Sequence, residues 1–287
     1  MKVRCPAKIN LYLYVLGKRP DGFHELETLM CPISLYDELT VEPADEVSLR
    51  LTGADISAGE DNLVMRAARL VQKLSGTTKG ARLTLTKNIP AGGGLAGGSS
   101  DAAHTLRALN EFWRCGLSPA ALDAAAATLG SDVNLFLHDS PAVCTGRGEK
   151  VAPVTLTEKP RVVLVNPGFG VPTPWAFKTY AAQPARGAEE KLTLHYRVGT
   201  GSVTAFKLRN DLEPAVFSKY LWLPAAKAWL AAQPGVTASM MSGSGATVFA
   251  LTDDAAATVR VAGAARGHFG DGAFIRTAEL LSGNLSG

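Results

Sequence analysis

The sequence predicts an α+β chain folded in two lobes. Three observations carry this. Stretches in which apolar residues alternate with period two are mixed with stretches of helical period, without strict strand–helix alternation. The chain has 287 residues, 46% hydrophobic and 19% charged, so it has ample core and no compositional mark of disorder. Residues 153–160, bounded by prolines, read as a crossover between lobes.

Taken in order, residues 3–15 alternate as a strand, with Ile9, Leu11, Leu13 and Val15 on one face. Residues 17–22 are dense in turn formers, and Phe23-His24 follows directly. Strand signal returns at 39–42 and 47–51. Asp61-Asn62 caps a helix carrying Leu63, Ala67, Leu70, Val71 and Leu74. Residues 81–87 alternate as a strand and lead into a run of glycines, after which Ala102, Ala103, Leu106 and Leu109 recur at helical spacing. Ser118-Pro119 opens an alanine-rich helix that Gly130 is placed to stop. Strands are expected at 142–145 and 162–166, helices at 175–182 and 223–233, and an exposed loop at 183–190. The last unit reads as a strand at 236–241, a glycine-serine loop, a strand at 247–252 and a helix from Asp253/Asp254 to about 266. Residues 277–287 read as a weakly ordered tail.

Composition excludes several functions. A net charge of +3 with scattered basic residues gives no nucleic-acid surface, though it suits an anionic small substrate. Cys5, Cys31, Cys115 and Cys144 form no C-x-x-C pair, which speaks against a zinc site or a disulfide framework and for a reduced, cytoplasmic setting. Residues 9–16 alternate with Asn10, Tyr12 and Tyr14, so they read as a strand and not a secretory segment. No run of 18 apolar residues predicts a membrane span.

The most informative stretch is Pro90-Ala91-Gly92-Gly93-Gly94-Leu95-Ala96-Gly97-Gly98-Ser99-Ser100. Such a glycine cluster fits where backbone must turn through positive φ or approach another group closely. Ser99 and Ser100 are good capping residues for the helix that follows, and Ala96 is expected at negative φ. A glycine loop feeding a helix N-terminus offers free N–H groups at the positive end of a dipole, which is a phosphate site. Gly92-x-Gly94-x-x-Gly97 matches the dinucleotide fingerprint formally, but Glu111 lies on the predicted helix with no second strand before it. No Gly-Lys-Ser/Thr follows for a Walker loop.

Other candidates have ordinary readings beside functional ones. Residues 242–246 form a second glycine-serine loop, either a hairpin turn or another wall of the phosphate site. Asp132 sits after a helix stop and suits a general base, while local sequence favours a capping role. Lys8 reads by default as a solvated lysine, with Asn10 on the same strand face. Phe23 and His24 could stack on a base and read its edge, or close over the core. The histidines show no metal-ligand spacing.

Together these stretches resemble the GHMP kinase superfamily. The motifs are Pro-Ala-Lys8-Ile-Asn10-Leu, the glycine stretch continuing into Asp101-Ala-Ala, and Met241-Ser-Gly-Ser-Gly-Ala-Thr-Val-Phe249, which span residues 7–249. Further stretches are Arg19-Pro-Asp-Gly-Phe-His-Glu25, Glu60-Asp-Asn-Leu63, Leu129-Gly-Ser-Asp-Val133, Pro172-Thr-Pro174 with Phe177, and Asn210-Asp-Leu-Glu213. These are most similar to members that phosphorylate a cytidine diphosphate-linked methylerythritol at its 2-hydroxyl, using ATP, in non-mevalonate isoprenoid synthesis. The resemblance implies the two-lobed GHMP kinase fold, with lobes of residues 1–154 and 155–287 and the active site in the cleft between them, and a monomer or homodimer. It implies that residues 90–100 wrap the ATP phosphates and that Asn62 and Lys87 line the adenine pocket. By the same resemblance Asp132 would take the proton of the attacking hydroxyl, with Lys8 beside it. Phe23 and Phe177 would sandwich the cytosine, His24 would read its edge, and Asn10 and Thr173 would hold the methylerythritol hydroxyls. Mg²⁺ accompanies ATP, with its ligands unassigned and Ser99 a candidate. Phe23 stands where that family also uses tyrosine, and Asn134 where it often has proline. A homoserine or mevalonate-type kinase and a catalytically silent ligand-binding member are the alternatives.

Overall fold

The computed structural model describes residues 1–54, 56–138, 140–182 and 184–281. The chain groups into two compact units. The first takes residues 1–7, 35–91 and 96–139, and the second residues 8–34, 92–95 and 140–287. Along the chain the two alternate, and β1 (Lys2–Lys18) and β2 (His24–Glu42) each carry residues of both. A boundary at 154/155 follows chain order, whereas these units follow strand pairing.

The first unit is completed by β3 (Val47–Thr52), α1 (Leu63–Ser75), β4 (Ala81–Thr86), α2 (Gly97–Phe112) and α3 (Pro119–Leu129). β4 runs parallel to β3 and antiparallel to residues 38–42 of β2, with Leu83 opposite Val41 and Leu85 opposite Leu39. Asn62 caps α1 by accepting the Val64 N–H, and Gly76 ends it at φ 69°. Val64, Ala67, Ala68 and Val71 form its buried stripe. α1 packs on α2, whose Ala102, Ala103, Leu106 and Leu109 are fully buried. The alanines let the helices approach, and each leucine contributes about 1.5–3 kcal/mol of burial. Ser118 caps α3 and Pro119 fills its first turn, as the sequence predicts. Gly130 ends α3 in extended backbone at φ 175°, so no left-handed stop is needed there. A turn at 131–133 and a 3₁₀ turn at Asn134–Leu137 follow.

The second unit continues with β5 (Ala142–Gly146), β6 (Lys150–Pro153), β7 (Thr155–Leu156), β8 (Arg161–Asn166), α4 (Thr173–Ala182), β9 (Thr193–Arg197) and β10 (Val203–Lys207). After these come β11 (Arg209–Asn210), α5 (Glu213–Phe217), α6 (Trp222–Ala231), β12 (Val236–Met241), β13 (Val248–Thr252), α7 (Ala255–Phe269) and β14 (Phe274–Glu279). β12, β13, β8 and β14 make an antiparallel sheet in that order. Val162, Val163, Leu164 and Val165 of β8 are all fully buried, which a two-sided core strand requires. α7 packs against β8 and β14, and α6 against β12 and β13. β5 pairs with residues 26–30 of β2 and with β6, while β11 runs parallel to β1 at Tyr12 and Leu13. β10, β9 and β7 form a small separate sheet.

The sequence expectation has no counterpart for β6, β7, β9, β10, β11 and α5, and it differs at β2 and β14. β2 is one strand from His24, where sequence predicts strand only at 39–42. Leu29, Met30 and Cys31 are all buried, so alternation is lost, and Pro32 argues against a strand. Residues 277–279 belong to β14, paired with Val163, Val162 and Arg161 of β8, rather than to a loose tail. Residue 183 of the expected 183–190 loop, and residues 282–287, lie outside the described residues.

Candidate active site

The glycine-rich stretch takes its shape from the backbone. Gly92 and Gly94 have φ of 63° and 75°, and a Cβ on Gly94 would strike the Ser242 carbonyl. Ala96 is also left-handed, at φ 55°, which overturns the negative φ expected for it. It is the residue before α2 and makes no side-chain cap, while its carbonyl accepts the Ser100 N–H at 3.0 Å. Turning the chain into α2 within that one residue costs its Cβ about 1–2 kcal/mol. Ser99 and Ser100 lie inside the first turn, not at the cap. The N–H groups of that turn are thus not taken by a capping side chain, at the positive end of a 16-residue helix.

Within the second unit, four successive loop carbonyls are turned into the protein. Gly92 accepts from Val171 N, Gly93 from Thr247 N, Gly94 from Ser242 Oγ and Leu95 from Lys8 N, at 2.9–3.3 Å. The loop therefore lies against the second glycine-serine segment and β1. Lys8 is 3% exposed, so it is not a solvated lysine, and its Nζ donates to Asn10 Oδ1 at 2.6 Å. A Cβ on Gly243, at φ 56°, would sit 3.3 Å from Lys8 Nζ, Asn10 Oδ1 and the Gly94 carbonyl. Residues 242–246 are thus a wall against Lys8 and Asn10 rather than a free hairpin turn. Thr173 Oγ1 meets Ser244 Oγ at 2.8 Å, joining α4 to the same wall.

Sequence reasoning did not single out the side chains that hold this wall. Asn210 Nδ2 donates to the carbonyls of Met241 and Gly243, each at 2.8 Å, and its Oδ1 accepts the Leu212 N–H. Glu213 accepts the Met241 N–H and the Lys227 ammonium, at 2.9 and 2.7 Å. Burial raises the Glu213 carboxyl against the pull of Lys227. The run Asn210-Asp-Leu-Glu213 was the only signal for either.

The aromatic residues of the second unit arrange themselves in pairs. His24 stacks on Phe177 with centroids 5.3 Å apart, and Tyr180 meets the imidazole edge-on at 6.3 Å. Thr173 and Phe177 are four residues apart on α4 and share a face. Burial, with help from Lys18, lowers the His24 pKa, so its imidazole is neutral at pH 7. Phe23 is 51% exposed, and the Arg147 guanidinium lies 4.8 Å over its ring.

In the first unit, Lys87 is buried between two carboxylates. Its Nζ contacts Asp37 Oδ2 and, at 2.5 Å, Asp101 Oδ2. Asp37 Oδ1 accepts the N–H groups of Asn88 and Ile89 at 2.6 and 2.9 Å, where the chain leaves β4 for the glycine stretch. Its Oδ2 lies 3.1 Å from where a Cβ on Gly97 would stand. Burial pushes Asp101 up to about 7, opposed by Lys87 and aided by Asp37. Burial acts to lower Lys87, but the two carboxylates outweigh it and raise it. Asp37 and Asp101 sit 64 positions apart, and although Asp101 ends the glycine motif, nothing in the sequence joins either to Lys87.

Asn62 uses both ends of its amide, accepting from Val64 N and donating to the Ser57 carbonyl at 2.9 and 2.7 Å. Asp132 is half-buried in the turn after α3. Asn134 holds the following turn to α3 by donating to the Asp123 carbonyl and Oδ1 at 2.8 and 3.1 Å. Among the described residues, no three His, Cys, Asp or Glu side chains gather to hold a metal ion. Among them, too, no helix is long and apolar enough to cross a membrane.

Residues 62–147 match the GHMP kinases N terminal domain, and residues 202–270 the GHMP kinases C terminal domain. A 4-diphosphocytidyl-2-C-methyl-D-erythritol kinase of Methylacidiphilum infernorum is 43% identical, over 96% of this chain and 96% of that one. The enzyme of the same name from Pelotomaculum thermopropionicum is 41% identical, over 89% and 90%. A crystal structure of 4-(cytidine 5'-diphospho)-2C-methyl-D-erythritol kinase superposes with TM-score 0.77 at 34% identity, over 97% of this chain and 99% of that one. Homoserine kinase from Cytophaga hutchinsonii superposes with TM-score 0.68 at 16% identity, over 99% and 95%, a likeness of fold alone.

Proposed function

The chain belongs to the 4-diphosphocytidyl-2-C-methyl-D-erythritol kinase family of GHMP kinases, and on that premise we propose that it moves the γ-phosphate of ATP onto the 2-hydroxyl of 4-diphosphocytidyl-2-C-methyl-D-erythritol, a step toward isoprenoid precursors by the non-mevalonate route. The observation that carries the substrate choice is the neutral His24 imidazole stacked on Phe177, on a helix that also presents Thr173. A neutral imidazole has one donor and one acceptor nitrogen, which suits the edge of cytosine. Homoserine and mevalonate have no base to use such a pair.

In this reading the acceptor hydroxyl oxygen attacks the γ-phosphorus in line, the bond to the β,γ-bridging oxygen breaks, and ADP leaves. Asp132 receives the hydroxyl proton. Lys8, desolvated beside Asn10, stabilises charge on the reacting oxygens. Residues 90–100 hold the phosphates with loop and first-turn N–H groups. Phe23 and Phe177 flank the cytosine, and Asn10 and Thr173 hold the methylerythritol hydroxyls. Asn62 and Lys87 have their polar ends engaged within the protein, so they shape the adenine pocket rather than donate to the base. Mg²⁺ bound with ATP would neutralise phosphate charge. Ser99, in the first turn of α2, is the candidate protein ligand for it. The matched N- and C-terminal domain ranges fall on either side of residue 154, which supports lobes of residues 1–154 and 155–287. Four cysteines held as thiols, three of them buried, support a reduced, cytoplasmic setting.

The test is phosphoryl transfer from Mg-ATP to the cytidyl substrate, homoserine and mevalonate in parallel. The expected result is transfer to the cytidyl substrate, and preference for either of the others would overturn the reading.

A further inference from the structure

Lys8, Asn10 and Thr28 form a directed chain of hydrogen bonds inside the second unit. Lys8 Nζ donates to Asn10 Oδ1 at 2.6 Å, and Asn10 Nδ2 donates to Thr28 Oγ1 at 2.7 Å. Thr28 Oγ1 in turn donates to the Tyr12 carbonyl at 2.6 Å. The three side chains belong to residues 3%, 2% and 2% exposed, so bulk water does not substitute for any link. The direction follows from the groups themselves. A carbonyl only accepts, so the single hydroxyl hydrogen of Thr28 goes to Tyr12. Toward Asn10 the hydroxyl then only accepts, and Asn10 must present its NH₂ there. An ammonium only donates, so the other end of the amide must present its oxygen to Lys8. A flipped amide would set NH₂ against NH₃⁺ and a carbonyl against an oxygen with no hydrogen left to give.

We propose that Thr28 is a positioning residue for phosphoryl transfer. It fixes the Asn10 amide and, through it, the Lys8 ammonium, and it leaves Asn10 to meet a substrate hydroxyl as a donor through its second N–H. This rests on the reading of Lys8 and Asn10 as site residues. Thr28 lies on β2, opposite Cys144 of β5, and makes its contribution without touching substrate. The chain also gives Thr28 a requirement that packing does not. Valine has nearly the same shape but can neither accept from Asn10 nor donate to Tyr12.

The experiment compares Thr28→Val and Thr28→Ser in the wild-type and Asn10→Ala backgrounds, with Lys8→Ala alongside. Turnover, both Michaelis constants and the thermal midpoint are measured. Thr28→Val should lower kcat by about 10- to 100-fold, the scale of a misplaced catalytic group, with the KM for ATP within about twofold. Thr28→Ser keeps the hydroxyl and should restore most of the turnover. In the Asn10→Ala background Thr28→Val should cost nothing further, because the amide it orients is gone. Should Thr28→Val not fold, Thr28→Ala carries the same comparison. Multiplying losses in the double variant, or a Thr28→Ser as poor as Thr28→Val, would make Thr28 structural and overturn the proposal. Full turnover in Thr28→Val with Asn10→Ala and Lys8→Ala impaired would overturn it while leaving the site reading intact. Full turnover in Asn10→Ala and Lys8→Ala would remove the site reading itself, and the proposal with it.

Discussion

Replacing Lys87 by methionine tests what holds the entrance to the glycine stretch. The ammonium is shared by Asp37 and Asp101, whose side chains are 0% and 3% exposed. Removing one partner of a buried ion pair costs about 3–5 kcal/mol, because the remaining charge stays in a poor solvent. Asp37 keeps two backbone N–H donors after the change, so the burden falls on Asp101. The sign with pH follows from Asp101, which burial pushes up to about 7. Its folded form holds a proton that the unfolded chain, near 3.9, has released. Stability therefore falls as pH rises from about 4 to about 7, by up to about 1.4 kcal/mol per unit. Lys87 opposes that rise, so without it the window extends above 7. Chemical denaturation of wild type and Lys87→Met should show a loss of about 3–5 kcal/mol at pH 8 and a smaller loss at pH 5. Adding Asp101→Asn should recover most of it, since one carboxylate then needs no cation. Wild-type stability of Lys87→Met at pH 8 would refute the charge-balance argument. A loss independent of pH would assign the effect to packing.

Three further outcomes are expected. Ala96→Gly removes a Cβ from a left-handed residue and should raise stability by about 1 kcal/mol, read as a higher thermal midpoint, with the KM for ATP within about twofold. His24 is held neutral by burial and Lys18, so the KM for the cytidyl substrate should stay flat from pH 8 to the ordinary histidine range near 6.5 and rise only below it. A rise already complete at pH 7 would contradict a depressed pKa. Asp132→Asn should keep ATP binding while cutting turnover by at least about 100-fold, and near-normal turnover would remove it as the proton acceptor.

What sequence made legible was whatever local spacing encodes. Asn62 and Ser118-Pro119 mark helix starts because a cap is a contact between near neighbours. The alternation through Lys8 and Asn10 places them on one strand face for the same reason. β2 was hidden because a strand buried on both faces loses its period, and β14 because only pairing with β8 gives it order. Ala96 defeated a rule about side chains and φ because the turn into α2 outweighs about 1–2 kcal/mol of strain. In the site, the glycine stretch, Phe23-His24 and Asp132 stood out as residue types in unusual company. Thr28, Asp37, Asp101, Asn210 and Glu213 did not, since each is an ordinary residue until the fold brings it to a partner. Thr28 is the plainest case, because a threonine in a strand needs no explanation until its one hydrogen is assigned.

The central claim is phosphoryl transfer from ATP to one hydroxyl of a cytidyl substrate. Phosphorus NMR of the reaction with Mg-ATP tests it most directly. One ADP should form per product molecule, with a new phosphomonoester at the 2-hydroxyl and the diphosphate bridge to cytidine intact. Phosphate at another position, or release of inorganic phosphate without transfer, would contradict it.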